Sequence, residues 1–298
     1  MPAEDQQSNR TVFNSYASKS YDNVPAYTFS VGYGDQSETY GTVGTDTVKM
    51  AGLTATSQYI GMPSIVSHQI KDDTWADGIL GLGFQSNSGF RPDPQPSFFE
   101  RIVATLQAPL FTANLKKNTA GNYQFGYIDN TAYSGELHYS PVNNSQGYWQ
   151  FDTSPGHSPA IADTGSSVIL LDLDLVQNYW KRVPSHSSNS QGIIFPCTEK
   201  LPDFTIQLGD SYTATISGEL INYVPLNETC KYIFAVEFQQ CALAFPRQSA
   251  DIFPLSDCLG GIQFNNGQGL NVFGDIMFQS QFVVFDYGNM QIGFAPHA

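Results

Sequence analysis

The stretch from Ile161 to Leu171 reads IADTGSSVILL, and it decides the fold that the sequence predicts. It places one carboxylate, that of Asp163, on a short turn between two apolar runs. Gly165 permits a tight backbone turn, and the hydroxyls of Thr164 and Ser166 could donate hydrogen bonds to the carboxylate. Burial would raise the pKa of this carboxyl unless such hydrogen bonds compensate. The stretch indicates either a carboxylate with a chemical role or an Asx turn between strands.

The rest of the chain predicts an all-β protein. Short runs rich in Val, Ile, Thr, Tyr and Phe, such as AYTFSVGYGD and QFVVFDYG, alternate with clusters of Gly, Asn, Asp and Ser. Only residues 96–106 and 172–183 show a helical pattern. A parallel sheet would need helices between its strands, and these are missing from the pattern.

Composition excludes some classes of function. The 298 residues include 27 acidic and 13 basic side chains, which gives a formal net charge of −14. This charge repels polyanions, so we expect no binding to nucleic acid. In acidic surroundings many carboxylates would become protonated and the self-repulsion would fall. No run of 18 apolar residues occurs, so we expect no membrane-spanning segment.

Cysteines and glycosylation sequons favour the secretory pathway. The four cysteines contain no C-x-x-C pair, which argues against a zinc or thioredoxin-type site, and two disulfides with three open pairings are expected. The sequons N-x-[ST] occur at three positions: Asn9, Asn143 and Asn227. Residues 1–10 lack the apolar core of a signal peptide. For a secreted protein, we therefore expect a start upstream of Met1.

The run around Asp163 resembles the active-site loop of the pepsin-like aspartic endopeptidases, particularly the fungal, endothiapepsin-like members. Other segments resemble the same family in the same order, from about Thr11 onward. These are the flap hairpin (31–37 and 45–48), the first-lobe apolar-glycine motif (77–84), the lobe-connecting sheet (121–129), the second-lobe core (195–197 and 201–204) and the second-lobe apolar-glycine motif (272–275). In the flap, Gln36 stands where a glycine is usual.

The resemblance implies an all-β, bilobal, pepsin-like double β-barrel. It places an incomplete N-terminal lobe in residues 1–140 and a C-terminal lobe, with the Asp-Thr-Gly motif, in residues 141–298. It also implies a secreted monomer that cleaves polypeptides at acidic pH with an aspartate-activated water. Neither a metal nor an organic cofactor is expected.

The resemblance also assigns roles to individual residues. Asp163 is the catalytic carboxyl, with loop support from Thr164, Gly165 and Ser166. The flap residues that contact substrate are Tyr33, Gly34 and Asp35. Cys197 and Cys258 match the second-lobe disulfide of the family, which leaves Cys230 and Cys241 for a bridge within an insertion at 227–254.

The family chemistry needs a second carboxylate, because two acids that share one proton divide the roles of acid and base. The 298 residues contain one Asp-Thr-Gly, at 163–165. We expect its partner upstream of Met1, because Asp5, Asp22, Asp46 and Asp152 lack the flanking pattern. A non-catalytic homologue that binds peptides or proteins is the alternative. Dimerisation through two copies of Asp163 and a carbohydrate-binding β-protein are weaker alternatives.

Three further side chains have two interpretations each. Phe98 and Phe99 could line a substrate pocket, although aromatic residues on a helix face are more often core residues. His157 is expected to be a solvated loop histidine rather than a catalyst. We also expect exposed apolar surface and uncovered sheet edges in the N-terminal lobe, and hence poor solubility.

Overall fold

Strands outnumber helices throughout the described part of the chain. The computed structural model describes residues 11–34, 36–72, 76–209, 212–226 and 257–298. These residues fall into two units. The first consists of the described residues within Met1–Leu106 and Asn144–Tyr148, and the second of those within Gln107–Asn143 and Trp149–Ala298. The all-β class and the division into two parts are confirmed.

One antiparallel sheet forms the first unit. Its strands are β1 (Asp22–Gly32), β2 (Glu38–Met50), β3 (Leu53–Val66) and β4 (Phe90–Arg91). They lie in the order β3-β2-β1-β4. In β2, β-branched Thr and Val residues favour the extended backbone, and Thr39 and Val43 are buried. The helices of this unit are α1 (His68–Asp72) and α2 (Phe98–Ile102), with 3-10 turns at Gln85–Asn87 and Val103–Thr105.

Helix α2 lies within the predicted helix at 96–106 and begins at a capping box. The Glu100 backbone N–H donates to Ser97 Oγ (3.4 Å), and the Ser97 backbone N–H donates to Glu100 Oε2 (3.0 Å). Phe98, Phe99 and Ile102 are buried on the side of the helix that contacts β3. The core interpretation of the two phenylalanines is therefore confirmed.

The described residues of the second unit form four sheets. Its strands are β5 (Leu110–Asn114), β6 (Asn122–Phe125), β7 (His138–Pro141), β8 (Gln150–Phe151), β9 (Ala160–Ala162), β10 (Ile169–Leu171), β11 (Ser187–Asn189), β12 (Gly192–Pro196), β13 (Phe204–Leu208), β14 (Tyr212–Ile216), β15 (Asn222–Pro225), β16 (Asp257–Gly260), β17 (Ile262–Phe264), β18 (Asn271–Phe273), β19 (Gln281–Asp286) and β20 (Gln291–Pro296). Its helices are α3 (Leu173–Trp180), α4 (Gly218–Ile221) and α5 (Asp275–Ser280). The sheet orders are β6-β5-β19-β20-β7, β17-β10-β18-β9-β8, β11-β12-β16-β15 and β13-β14.

The core of the second unit centres on β19, in which all six residues are buried. A strand that is buried on both faces has a nearly continuous apolar sequence, as Phe282–Phe285 in β19 does. Phe285 stacks on Phe111 with 4.4 Å between ring centroids, and the Trp149 ring meets Phe285 edge-on at 5.2 Å. These aromatic contacts join β5, β19 and Trp149, the residue before β8, in one core.

Helix α3 lies within the predicted helix at 172–183. It buries Val176, Tyr179 and Trp180. The Trp180 indole N–H donates to the Ile262 carbonyl (2.9 Å), so a buried polar group is satisfied. This contact fastens α3 to β17.

The predicted disulfide between Cys197 and Cys258 is present, with 4.9 Å between the Cα atoms. It joins the end of β12 to β16, which are already paired strands. The proposed partners Cys230 and Cys241 lie outside the described residues, so their pairing stays a prediction.

The two units divide the chain earlier than the predicted lobe limit at 140. Residues 107–143 belong to the second unit because β5 pairs with β19 and β7 pairs with β20. Strand pairing between distant segments is not visible in local sequence patterns. Among the described residues, no helix has the length and apolar character needed to cross a membrane.

Candidate active site

The turn that carries Asp163 connects β9 to β10, and β18 lies between these two strands in the sheet. β18 runs parallel to β9, with Val272 opposite Ile161, and antiparallel to β10, with Val272 opposite Leu170. The connection from β9 to β10 must therefore cross the carboxyl end of β18. The Asp163 backbone N–H donates to the Phe273 carbonyl (3.0 Å), which fixes the start of the turn.

The Asp163 carboxylate is held by hydrogen bonds from its own turn. The Gly165 backbone N–H donates to Oδ1 (2.9 Å), and the Ser166 hydroxyl donates to Oδ2 (2.7 Å). A Cβ atom at Gly165 would lie 3.2 Å from Oδ1, so a side chain there would crowd the carboxylate. Hydrogen bonds to an ionised acceptor are short and strong, and here they fix both oxygens.

Gly274 brings a second carboxyl to this turn. The Asp275 backbone N–H donates to the Ser166 carbonyl (2.7 Å). A Cβ atom at Gly274 would lie 2.3 Å from that carbonyl oxygen and 2.5 Å from the carbonyl oxygen of Val168. Only glycine permits so close an approach. Asp275, the first residue of α5, is thereby positioned beside Asp163.

The two carboxyl groups interact. Burial, and to a smaller extent the negative charge of Asp163, together raise the pKa of Asp275 from its ordinary value to about 7. In acidic solution Asp275 is therefore a neutral acid that interacts electrostatically with Asp163.

Two tyrosines contact the same turn. Tyr123, on β6, is hydrogen-bonded to the Thr164 side chain, and Tyr223, on β15, is hydrogen-bonded to the Ser167 side chain. Burial raises the pKa of both phenols, that of Tyr223 to about 12. Both tyrosines therefore stay protonated in acidic and neutral solution. The turn is supported from β6, β15 and β18.

In the first unit, the predicted flap is the hairpin between β1 and β2. The Tyr33 backbone N–H donates to the Ser37 carbonyl (2.8 Å), and the Gln36 N–H donates to the Tyr33 carbonyl (3.0 Å). Gly34 lies in the turn, whereas Asp35 lies outside the described residues. Gln36 has φ of 68°, which explains why glycine suits this position. The substrate-contact roles of Tyr33, Gly34 and Asp35 stay predictions.

A sequence profile described as "Eukaryotic aspartyl protease" matches residues 2–297. The chain belongs to the eukaryotic aspartyl protease family. Among its relatives, penicillopepsin-1 of Penicillium janthinellum is 39% identical over an alignment that covers 100% of this chain and 86% of the relative. Aspergillopepsin-1 of Aspergillus fumigatus is 39% identical over an alignment that covers 91% of this chain and 65% of the relative. Penicillopepsin-1 of Talaromyces stipitatus is 38% identical over an alignment that covers 92% of this chain and 66% of the relative. The chain thus spans about two thirds of the length of the last two relatives.

In this aspartyl protease, the predicted residues of the Asp163 loop lie together. Gly165 and Ser166 bond the Asp163 carboxylate directly, and Thr164 is bonded to Tyr123. Their catalytic roles stay predictions. Asp46, a rejected catalytic candidate, is buried and accepts hydrogen bonds from Ser20 and from the Thr47 backbone N–H. These contacts indicate a structural role.

His157 differs from its predicted environment. Instead of lying free in solvent, its side chain is half-buried, and Nε2 lies 3.0 Å from Asp174 Oδ2. The pair brings the loop before β9 against the first turn of α3.

The two apolar-glycine motifs of the protease have different environments. Val272 and Phe273 form part of β18, whereas Ile79 and Leu80 pair with no strand among the described residues and have 68% and 46% of their surface exposed. The predicted exposure of apolar surface in the first unit is therefore observed here. Its effect on solubility stays a prediction.

Sequence reasoning missed Asp275, Tyr123 and Tyr223 as members of the site. Asp275 is the last residue of the second-lobe apolar-glycine motif (272–275), and the available signal is an aspartate directly after an apolar run and a glycine. The tyrosines carry no such signal, because they reach the turn from β6 and β15, which are distant in sequence. Among the described residues, no group of three or more His, Cys, Asp or Glu could hold a metal ion.

A separate cavity of about 620 Å³ in the second unit is lined in part by Lys117, Glu219 and Asn222. Lys117 Nζ donates to the Glu219 carbonyl (2.6 Å) and to the Asn222 carbonyl (3.3 Å). Burial lowers the pKa of this amine. The cavity includes none of the residues of the Asp163 turn, and its one half-buried lysine is already bonded to backbone.

Proposed function

We propose that this chain is an endopeptidase that hydrolyses polypeptides at acidic pH, with Asp163 supplying one of the reacting carboxyl groups. The observation that carries the proposal is the turn across β18, which fixes the Asp163 carboxylate with two hydrogen bonds and leaves the residue only partly buried. Membership of the eukaryotic aspartyl protease family supports the same chemistry.

The proposed reaction begins with a water molecule held by Asp163. The carboxylate accepts a proton from the water as its oxygen bonds to the carbonyl carbon of the scissile peptide. A second, protonated carboxyl, which is the partner that the family chemistry requires and is not Asp275, donates a hydrogen bond to the carbonyl oxygen. This bond stabilises the tetrahedral intermediate. The C–N bond then breaks as the proton taken up by Asp163 passes to the leaving amine nitrogen, which returns Asp163 to its carboxylate form. Water and two carboxyls balance this reaction without a metal or an organic cofactor.

Acidic conditions suit this arrangement for a physical reason. Asp275 is neutral below its pKa of about 7, so it then adds no negative charge to that of Asp163. At higher pH, ionisation of Asp275 would place two negative charges beside one turn. We therefore expect activity to fall as the pH rises toward 7.

A cleavage assay tests the proposal. The purified chain is incubated with an unfolded protein at pH 3 to 7, with and without a chelator and a transition-state-analogue inhibitor of aspartic proteases, and the fragments are identified by mass spectrometry. We expect internal cleavage at acidic pH that the inhibitor stops and the chelator leaves unchanged. Cleavage that the chelator abolishes would contradict the proposal.

A second candidate function is peptide binding without cleavage. The presence of one Asp-Thr-Gly in 298 residues favours it, because the chemistry needs two carboxyls. Calorimetric titration with the same inhibitor separates the candidates. Binding without any cleavage at acidic pH would select the binding function.

We further propose secretion, a monomeric state and a polypeptide as the partner. Asn143 of the Asn143–Asn144–Ser145 sequon is exposed, with its backbone N–H bonded to the Gln150 carbonyl (2.8 Å), so a glycan there would point into solvent. After expression through a secretory pathway, we expect a glycopeptide at Asn143 that Asn143→Gln removes and Asn144→Gln retains. An unmodified Asn143 would contradict its accessibility, and a dimer in sedimentation analysis would contradict the monomeric state.

A further inference from the structure

At the opposite end of β9, β10 and β18 from Asp163 lies a partly buried polar network, here called the strand-base network. Its members are Ser158, Asp172, Asn265 and Asn271. β9 and β18 begin at this end, whereas β10 and β17 finish at it, as their parallel and antiparallel pairing requires. Each strand contains three residues. The network therefore lies about 10 Å from the turn, at about 3.3 Å per residue.

The Asp172 carboxylate is the centre of this network. Oδ1 accepts from the Ser158 hydroxyl (2.8 Å) and from Asn265 Nδ2 (3.0 Å). Oδ2 accepts from the Ser158 backbone N–H (2.7 Å) and from Asn271 Nδ2 (3.4 Å). One carboxylate thus joins the segment before β9 to the start of β18 and the end of β17, while its own backbone extends β10.

The asparagines complete the connections. Asn271 is fully buried, donates through Nδ2 to the Ser158 carbonyl (2.9 Å), and accepts through Oδ1 from the Asp172 backbone N–H (2.8 Å). Asn265 donates to Asn271 Oδ1 (3.2 Å), and its backbone N–H donates to the Leu171 carbonyl (3.0 Å). The bonds are reciprocal, so each member restrains the others.

A simpler explanation for Asp172 is helix capping, because aspartate is favoured before the first turn of a helix. Asp172 does occupy the N-cap position of α3, but its side chain makes no capping hydrogen bond. The carboxylate faces the strand ends instead. Capping therefore does not explain its contacts.

We propose that Asp172 is a positioning residue, which holds β9, β10 and β18 in register and thereby sets the geometry of the Asp163 turn. A shift of β18 relative to β9 would move the Phe273 carbonyl, which bonds the Asp163 backbone N–H, and would move Asp275 along with it. The effect of the network on catalysis rests on the proposed peptidase function. Its effect on the geometry of the Asp163 turn does not depend on that function.

The network can persist in acid. Burial alone would raise the pKa of Asp172, but the hydrogen bonds from Ser158, Asn265 and Asn271 outweigh it and hold the pKa below its usual value. The ionisable residues next to the network in sequence are His157 and Asp174, whose side chains lie 3.0 Å from each other. Asp172 therefore stays ionised under conditions in which Asp275 is neutral.

Amide hydrogen exchange in the uncleaved chain tests this proposal without requiring peptidase activity. The probes are the Asp163 and Gly165 amides in the turn, with the β13–β14 hairpin as an internal reference. The variants are Asp172→Asn, which places an amide among donors, and the milder Ser158→Ala, which removes one hydroxyl donor. Asp174→Asn is the matched control, because it removes a neighbouring exposed carboxylate outside the network.

We expect exchange at the turn to accelerate about tenfold in Asp172→Asn, which corresponds to the loss of one hydrogen bond to a charged group. Ser158→Ala should show a smaller acceleration at the same amides, and Asp174→Asn should show none. If Asp172→Asn does not fold, Ser158→Ala decides the question. Unchanged exchange at the turn, or equal acceleration in the turn and in β13–β14, would overturn the positioning role.

Peptidase kinetics provide a second measurement. If the wild type cleaves peptides, kcat should fall in Asp172→Asn while KM changes little. The kcat of Asp172→Glu should also lie below that of the control Asp174→Asn. A wild type without activity would refute the proposed function but leave the exchange result to decide on the network.

Discussion

Replacing Asp275 by asparagine should change how the second unit responds to pH. The variant keeps the size of the side chain and the backbone bond to Ser166 but cannot ionise. In the wild type, the folded pKa of about 7 lies above the ordinary value of 3.8. The contribution of this group to stability is therefore complete below about pH 4, and it is lost as the pH rises through 7.

The size of the effect follows from the same values. At 1.36 kcal/mol for each tenfold change in proton affinity, the difference corresponds to at most about 4 kcal/mol between pH 4 and pH 8. Asp275→Asn should remove most of this loss, so that the variant is the more stable protein at pH 8. At pH 3 the stabilities of the two proteins should differ little, because the side chain at position 275 is neutral in both.

Chemical denaturation monitored by tryptophan fluorescence measures this effect. Trp149 and Trp180 are both buried in the second unit and report on its unfolding. Asp152→Asn is the control, because Asp152 is an exposed residue of the same unit, and the variant should keep the wild-type loss of stability. Parallel stability curves for wild type and Asp275→Asn from pH 4 to 8 would refute the account of a buried, neutral Asp275.

Three further predictions concern the supports of the site. Gly274→Ala should destabilise the second unit by about 3 kcal/mol, because its Cβ would overlap the Ser166 and Val168 carbonyls; denaturant midpoints check this against Gly78→Ala, which meets no atom within 4 Å and should be neutral. Gln36→Gly should stabilise the first unit by about 1 kcal/mol by relieving the positive φ, seen as a higher Tm; an unchanged or lower Tm would contradict it. The double variant Cys197→Ala, Cys258→Ala removes a link between residues 61 apart and should lower the free energy of unfolding by about 4 kcal/mol; a difference below about 1 kcal/mol would contradict the chain-entropy argument.

Local patterns predicted the parts of this fold that depend on local physics. The runs around β2 and β19 are rich in β-branched and aromatic residues, and both form strands. The two predicted helices are present: a capping box begins α2, and an apolar face that becomes buried marks both helices in the sequence. The disulfide from Cys197 to Cys258 followed from family resemblance rather than from spacing.

Long-range contacts account for what the sequence did not show. Residues 107–143 join the second unit because β5 pairs with β19, which is more than 160 residues later in the chain. Asp275 approaches Asp163 because β18 lies between β9 and β10. The role of Asp172 was hidden for the same reason, since its position before a helix suggests a cap and only the folded sheet brings Asn265 and Asn271 to it.

The Asp163 carboxylate is the group on which the proposed chemistry depends most directly. The decisive measurement is the initial rate of peptide cleavage at acidic pH by the wild type and by Asp163→Asn, both prepared identically and shown to fold equally well. We predict cleavage by the wild type and at least a hundredfold lower rate in the variant, about the smallest contribution of a general base. Equal rates in the two proteins would contradict the assignment of Asp163.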